Sequence, residues 1–415
     1  MQLSQEPEDF PGNCSDLANP LMGAVHGYLC GSEHPNHTDN HSIPGDDKEE
    51  LLLKYLGPRK SSFFTPVCII YLWIFVVGAL GNALTCIVIA RHRVMRTPTN
   101  YYLFSLAVSD LLVLVLGMPL ELYEMWNNYP FLLGRAGCYF KIFFFETVCF
   151  ASILNVTALS VERYIAVVHP LKAKYVVTRT HAKRVIAAVW LVSICSAIPN
   201  TSLHGINYLS IPSGQRIEES ATCTLLKPAW MYSLIIQVTT VLFFFLPMAT
   251  ISVLYLLIGL QLKREKLVSE LKPALGSGQY QTIRMQQEKI KRRQVTKMLF
   301  VLVIVFGICW APFHTERLMW ILIRNWTGEL HRLYQFTHII SGVFFYLSSA
   351  VNPVLYNLMS TRFREMFKEV MCRRRRTRGS KPGRYSASMT KTMTPSSVLE
   401  SGHGNGPPMS DMEDY

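Results

Sequence analysis

Seven stretches of about twenty apolar residues dominate this chain, and each matches the roughly 30 Å hydrocarbon core of a bilayer. They fall near 66–90, 100–125, 138–162, 185–205, 230–258, 298–322 and 335–358. Lipid offers no hydrogen bonds to the backbone, so continuous runs of this length span as helices. The fold class is therefore all-α: a membrane protein built as a seven-transmembrane helix bundle. Only 17% of the 415 residues are charged, against about a quarter in soluble domains. Pro119, Pro199, Pro247, Pro312 and Pro353 lie within the spans. Such prolines would break soluble helices, but neighbouring helices in a bundle can satisfy the backbone groups they free.

The formal charge of +13 is a matter of topology. Four segments lie on one side: the connection after the first span, that between the third and fourth, 261–297, and the tail after 359. Together they hold 30 of the 41 Lys and Arg residues against ten of the 28 acids. Cytoplasmic connections carry such an excess. The amino terminus is expected outside and the carboxyl terminus inside, in a multi-pass protein of the plasma membrane. This patterning accounts for the basicity without nucleic acid.

Residues 1–65 read as an extracellular segment, with ten acids, four bases and the glycosylation sequons at Asn13, Asn36 and Asn40. No apolar core of a signal peptide is visible in the first 30 residues. The bundle occupies 66–358, followed by a short amphipathic juxtamembrane helix over 359–372 and a disordered tail over 373–415. The segment 271–280 reads as a flexible loop. Without an internal repeat, the chain lacks the architecture of transporters made from inverted halves.

Ionisable groups inside spans are costly and mark function by default. Asp110 lies mid-span, needing a cation, a polar cavity or a proton, or serving as a hydrogen-bond hub. Glu121 and Glu124 share a face near the outer end of the second span. Glu146 lies eight residues beyond Cys138, about 12 Å by helix rise. Glu316 and Arg317 follow Pro312 by one turn. Acids at this depth suit a cationic guest from outside, the alternative being internal pairing of Glu316 or Glu146 with Arg317. Trp126, Phe313, His338, Phe345 and Tyr346, with Tyr123, can supply stacking and cation–π contacts or simply core and interfacial packing.

Cys138 and Cys223 fall in the oxidising compartment, where a disulfide persists, as do Cys14 and Cys30. Cys372 precedes Arg373–Arg376, a palmitoylation pattern on a basic membrane-facing segment. The kinked sixth and seventh spans, with Trp310 and Tyr356 beside Pro312 and Pro353, suit a bistable element. No HExxH, Walker loop, Gly-x-Ser-x-Gly elbow or CxxC pair occurs, so the chain is read as no enzyme.

Asn82, Asp110, Cys138, Glu162-Arg163-Tyr164, Trp190, Pro247, Cys309-Trp310-Ala311-Pro312 and Asn352-Pro353-x-x-Tyr356 together resemble the rhodopsin-like (class A) G-protein-coupled receptors over about 66–370. More closely, Leu120–Trp126, Phe145–Ser152, Pro199–Gly205 and Val343–Val351 are similar to the neuromedin U receptor family. Leu53–Pro58 and Leu154–Leu159 lean to its type 1 branch.

The resemblance implies a receptor for the amidated neuropeptides neuromedin U and neuromedin S, whose shared end carries two arginines. It implies coupling chiefly to Gq/11, with phospholipase C and calcium release downstream, and later recruitment of receptor kinases and arrestin at Ser386–Ser397. Arg163 would hold the resting state through Glu162, a departure from the commoner aspartate. Trp310 would be the hinge, with Asn352 and Tyr356 joining the rearrangement. Asp110, Ser152 and Asn352 resemble the family's sodium pocket, with Asp110 the charged ligand and sodium an allosteric guest; no other cofactor is implied. Arg317 would hydrogen-bond the amide end. The basic 261–297 loop and Arg373–Arg376 would face anionic membrane lipids. Rival readings are a receptor for a ghrelin-, motilin- or neurotensin-type peptide, or a seven-span transporter. A light-sensing pigment is excluded, because 335–358 has no lysine for a Schiff base.

Overall fold

The structure, a computed structural model, describes residues 45–210, 216–271, 279–323, 325–359 and 361–376. Seven helices are long and apolar enough to cross a membrane: Phe64–Arg91, Pro98–Trp126, Gly134–Val168, Arg179–Thr201, Ala229–Glu265, Leu299–Leu322 and Gly328–Asn357. These are the first to seventh spans below. The second starts cleanly because Thr97 accepts a hydrogen bond from Asn100 N and Pro98 occupies the first turn. Thr178 caps the fourth in the same way through His181 N.

The prolines act in two different ways. Wide π turns at Val113–Gly117 and Val241–Phe245 stand just before Pro119 and Pro247. A proline ring clashes with the carbonyl four residues back, which is residue 115 or 243, inside each wide turn. The extra backbone room absorbs the clash, so both helices continue. Pro199, Pro312 and Pro353 lie within helices that run through them.

The third span is the most buried, touching the second, fourth, fifth and sixth, while the seventh closes the ring against the sixth and first. Polar staples fix this order. Asn82 Nδ2 donates to Gly78 O at 2.9 Å and to Ser349 O at 2.8 Å, tying the first span to the seventh. Trp190 Nε1 donates to Ser105 Oγ at 3.0 Å, tying the fourth to the second. Small residues allow close approach between membrane helices: a Cβ on Gly78 would lie 2.6 Å from Leu114 Cδ1 and 3.2 Å from Ala350 Cα. Facing the other way, Trp73, Leu80, Leu191 and Leu256 are exposed, as suits lipid contact.

At one end, strands β1 (His204–Asn207) and β2 (Thr222–Leu225) form an antiparallel hairpin. The Cys138–Cys223 disulfide ties β2 to the third span. A helix over Gly45–Leu56 docks on the same end, where Leu52 packs with Tyr129, Leu209 and Ile217.

Several boundaries differ from the sequence reading. The fourth helix stops at Thr201 and not at 205, because His204 and Gly205 give their backbone to the β-ladder. The seventh begins at Gly328, about two turns before 335. The polar amino-terminal segment contains a helix, and the final helix covers Thr361–Arg376 where 359–372 was expected. Asn13, Asn36, Asn40, Cys14, Cys30, residues 272–278, Ser386–Ser397, the rest of the tail beyond 376 and the Cys372 side chain lie outside the described residues.

Candidate functional site

A cavity of about 870 Å³ opens at the hairpin end of the bundle. Its wall is built mainly by the second, third and seventh spans, with residues 54–63 adding a further side. Glu121, Glu124, Glu146, His338 and Tyr346 all line it. Their place in the wall follows from helix phase: Glu121 and Glu124 are one turn apart on one face, and Glu146 lies on the inward face of the most enclosed helix.

Each acid already has a partner. Arg317 Nη2 lies 2.5 Å from Glu146 Oε1 and Nη1 donates to Oε2 at 3.3 Å, while Asn200 Nδ2 donates to Oε1 at 2.8 Å. The pair joins the third and sixth spans, with Arg317 12% and Glu146 5% exposed. Of the internal pairings open to Arg317, the bundle selects Glu146. Glu316, one residue and about 100° away on the helix, points instead to the seventh span. There it accepts from His338 Nδ1 at 2.7 Å and Tyr334 OH at 3.4 Å. Lys141 Nζ bonds both oxygens of Glu124, at 2.6 and 2.5 Å. Glu121 accepts from two hydroxyls, those of Tyr71 and Tyr346.

Beneath the acids is an aromatic floor. Phe145 contacts Phe345 at 4.9 Å and Phe313 at 5.7 Å between ring centroids, and both reach Trp310. Trp310 also stacks on Phe306 at 5.0 Å. Arg317 Cζ sits 5.2 Å from the Phe313 ring centroid. Trp126 is not brought to the cavity. It is exposed, set edge-on against Phe64, with Lys60 Nζ 4.1 Å from its ring centroid.

A second cavity, of about 10 Å³, lies deeper, lined by Asp110, Ser152, Ser348, Ser349 and Asn352 below Trp310. Asn352 Nδ2 donates to Asp110 Oδ2 at 2.8 Å, and Ser152 Oγ donates to Ser109 Oγ at 3.2 Å. At the far end of the third span, Arg163 Nη2 meets Glu162 Oε1 at 2.5 Å. Thr99 Oγ1 donates to that same oxygen at 2.9 Å and also accepts from Arg163. Tyr356 is fully buried, its ring 5.8 Å from that of Phe363.

Sequence reasoning missed Lys141, Tyr71, Phe145, Asn200 and Tyr334. Lys141 had a signal, a lone cation within the apolar run Phe140–Phe144. Tyr71 had none, because an aromatic in a membrane span is unremarkable by itself.

Two ends of one bundle thus hold an open, charged cavity and a Glu-Arg ion pair, with a polar cluster between them. Known proteins resemble the chain over most of its length. Residues 81–356 match the 7 transmembrane receptor (rhodopsin family). Neuromedin-U receptor 1 of Homo sapiens is 55% identical over 398 residues, covering 94% of this chain and 93% of the relative. Neuromedin-U receptor 2 of Rattus norvegicus is 55% identical over 323 residues, covering 78% and 79%. Growth hormone secretagogue receptor type 1 of Sus scrofa is 39% identical over 317 residues, covering 76% and 82%. The relatives are receptors and not enzymes, and the chain belongs with them to the rhodopsin family of seven-transmembrane receptors, among the neuromedin-U receptors.

Proposed function

We propose that this chain is a plasma-membrane receptor for neuromedin U and neuromedin S, with its amino terminus outside and carboxyl terminus inside, signalling through Gq/11 to phospholipase C and calcium. The observation that carries the reading is the cavity itself. Its carboxylates, set above an aromatic floor, suit a guest that is both cationic and aromatic, as is a peptide end bearing two arginines. The names of the relatives supply the peptide class.

Binding becomes signalling only if the peptide holds one bundle conformation more tightly than another. A preference of about 3 kcal/mol changes the population ratio roughly 150-fold. On this reading Trp310 is the hinge beneath the peptide. The Glu162–Arg163–Thr99 cluster is the latch that opens to admit the G protein, with Asn352 and Tyr356 moving in between. Receptor kinases and arrestin would act on the tail, and Cys372 with its basic neighbours would be acylated at the lipid surface.

The small polar cavity fits a sodium ion. Asp110, Ser152, Ser349 and Asn352 offer hard oxygen donors, and the space matches about one water-sized sphere. Bound there, sodium would supply a counter-charge for Asp110 and favour the resting bundle. Asp110→Asn is expected to abolish any dependence of peptide affinity on sodium concentration.

The decisive experiment is calcium mobilisation in cells expressing this chain, challenged with neuromedin U, neuromedin S and a panel of ghrelin-, motilin- and neurotensin-type peptides. The reading expects a response to the first two at the lowest concentrations. A stronger response to a ghrelin-type peptide would favour the second reading, which the growth hormone secretagogue receptor relative supports.

A further inference from the structure

Of the four acids in or beside the cavity, three face a basic side chain. Glu124 faces Lys141, Glu146 faces Arg317 and Glu316 faces His338. Glu121 is different. Tyr71 OH donates to its Oε1 at 2.7 Å and Tyr346 OH to its Oε2 at 2.7 Å. No Lys, Arg or His forms an ion pair with it among the described residues.

The two tyrosines come from the first and seventh spans and are each 1% exposed, with ring centroids 4.8 Å apart in an edge-on arrangement. Buried rings wedged against one another hold their hydroxyls in place. A carboxylate has about four acceptor sites, and each hydroxyl takes one per oxygen. Glu121, which lines the cavity, therefore keeps acceptor capacity for a further donor. A guanidinium, with its planar fork of N–H groups, is the cation whose geometry suits a fixed carboxylate.

Gly342 is part of the same device. It lies one turn before Tyr346 in the seventh span, and a Cβ built there would overlap the Tyr71 hydroxyl and approach Glu121 Oε1 to 2.9 Å. Both contacts involve the clamp itself, so any larger residue would push it open.

We propose that Tyr71 and Tyr346 are positioning residues that hold Glu121, which no basic side chain contacts among the described residues, oriented for a guanidinium, and that Gly342 is the vacancy that lets the clamp close. The proposal rests on the cationic-peptide reading and deepens it.

The test compares neuromedin U with versions in which each arginine is replaced by citrulline, which keeps the shape and loses the charge. The readout is the arginine-to-citrulline potency ratio in calcium mobilisation, at matched surface expression. Losing the hydrogen bonds that orient a charged group should lower this ratio about 10-fold in the Tyr71→Phe/Tyr346→Phe receptor, the arginine peptide losing that much more potency than the citrulline peptide. Gly342→Ala should lower it too, and by less in a Tyr71→Phe background, where the obstructing hydroxyl is gone. In a Glu121→Gln background the tyrosine substitutions should change nothing further. A wild-type receptor that discriminates arginine from citrulline while the double variant discriminates equally well overturns the clamp alone. Equal loss of potency for both peptides, the mark of a merely structural role, also overturns it. A wild-type receptor indifferent to citrulline overturns the cationic reading, and the clamp with it.

Discussion

Glu146→Gln is the perturbation whose cost can be worked most directly from the geometry. Arg317 reaches Glu146 through both terminal nitrogens, the shorter contact being 2.5 Å, and both side chains are largely withdrawn from solvent. At an effective dielectric of about 20, the gross attraction between unit charges at that distance is roughly 7 kcal/mol. Desolvation of the two groups offsets much of it, but removing one partner strands the other, at about 3–5 kcal/mol. Glutamine keeps the volume and an acceptor for Asn200, so the change isolates the charge. Adding Arg317→Gln removes the stranded guanidinium, and the double variant should recover most of the loss. The assay is thermal inactivation of the solubilised receptor for wild type, both single variants and the double, alongside surface expression. A Glu146→Gln receptor as stable as wild type, or a double variant carrying the sum of both single losses, would refute a buried, mutually dependent pair. Peptide potency in the same set tests function separately: if Glu146→Gln leaves it unchanged at normal expression, Glu146 is not an anchor for the peptide.

Three other outcomes are expected. Cys138→Ser opens a link between residues 85 apart, worth about 4–5 kcal/mol in the chain-entropy account, and should sharply reduce folded receptor at the cell surface. Thr99→Ala removes the hydroxyl bonded to both Glu162 and Arg163, so ligand-independent inositol phosphate production should rise several-fold if that cluster is a resting latch. His204, in the hairpin, is held below its ordinary pKa chiefly by burial, against the opposing hydrogen bond to Asn200 O. Its folded state resists the proton that the unfolded chain accepts near pH 6.5. Stability should therefore be full above that pH and decline as pH falls through the unfolded value toward the folded one. His204→Gln should flatten the decline in melting temperature between pH 7.5 and 5.

The spans were legible because a twenty-residue apolar run has few physical alternatives, and the third, fifth and sixth could be read almost by eye. What failed were features written in few residues. The hairpin strands hold four residues each, too short for an alternating pattern to stand out, so 202–205 looked like a continuing fourth helix. The helix at Gly45–Leu56 hides in a polar segment because it buries only a few residues, Leu52 chief among them. In the site, acids inside apolar runs announced themselves, whereas their neutral partners did not. Trp126 lies two residues beyond Glu124, about 200° around the helix, which turns it away from the cavity. For Arg317 the sequence offers Glu316, Glu146 or the amide end of a peptide, and the folded arrangement pairs it with Glu146.

The placement of the ion pairs bears on how a peptide would move the bundle. Glu146 and Arg317 bridge the third and sixth spans, and the sixth carries Trp310 and Pro312 just below the pair. On the proposed reading, an arginine that reaches Glu146 competes with Arg317 for the same oxygens. The exchange costs little in charge, since one guanidinium replaces another, but it frees the sixth span from a constraint that the resting geometry satisfies. Binding at Glu121 has a different effect, because its clamp joins the first and seventh spans and requires no basic side chain to leave. Affinity drawn from Glu121 can therefore be nearly equal in both conformations, and a ligand that binds two states equally shifts neither. Affinity drawn from Glu146 depends on where the sixth span stands. On that reading the two carboxylates would divide the work, one retaining the peptide and the other converting its presence into a displaced helix.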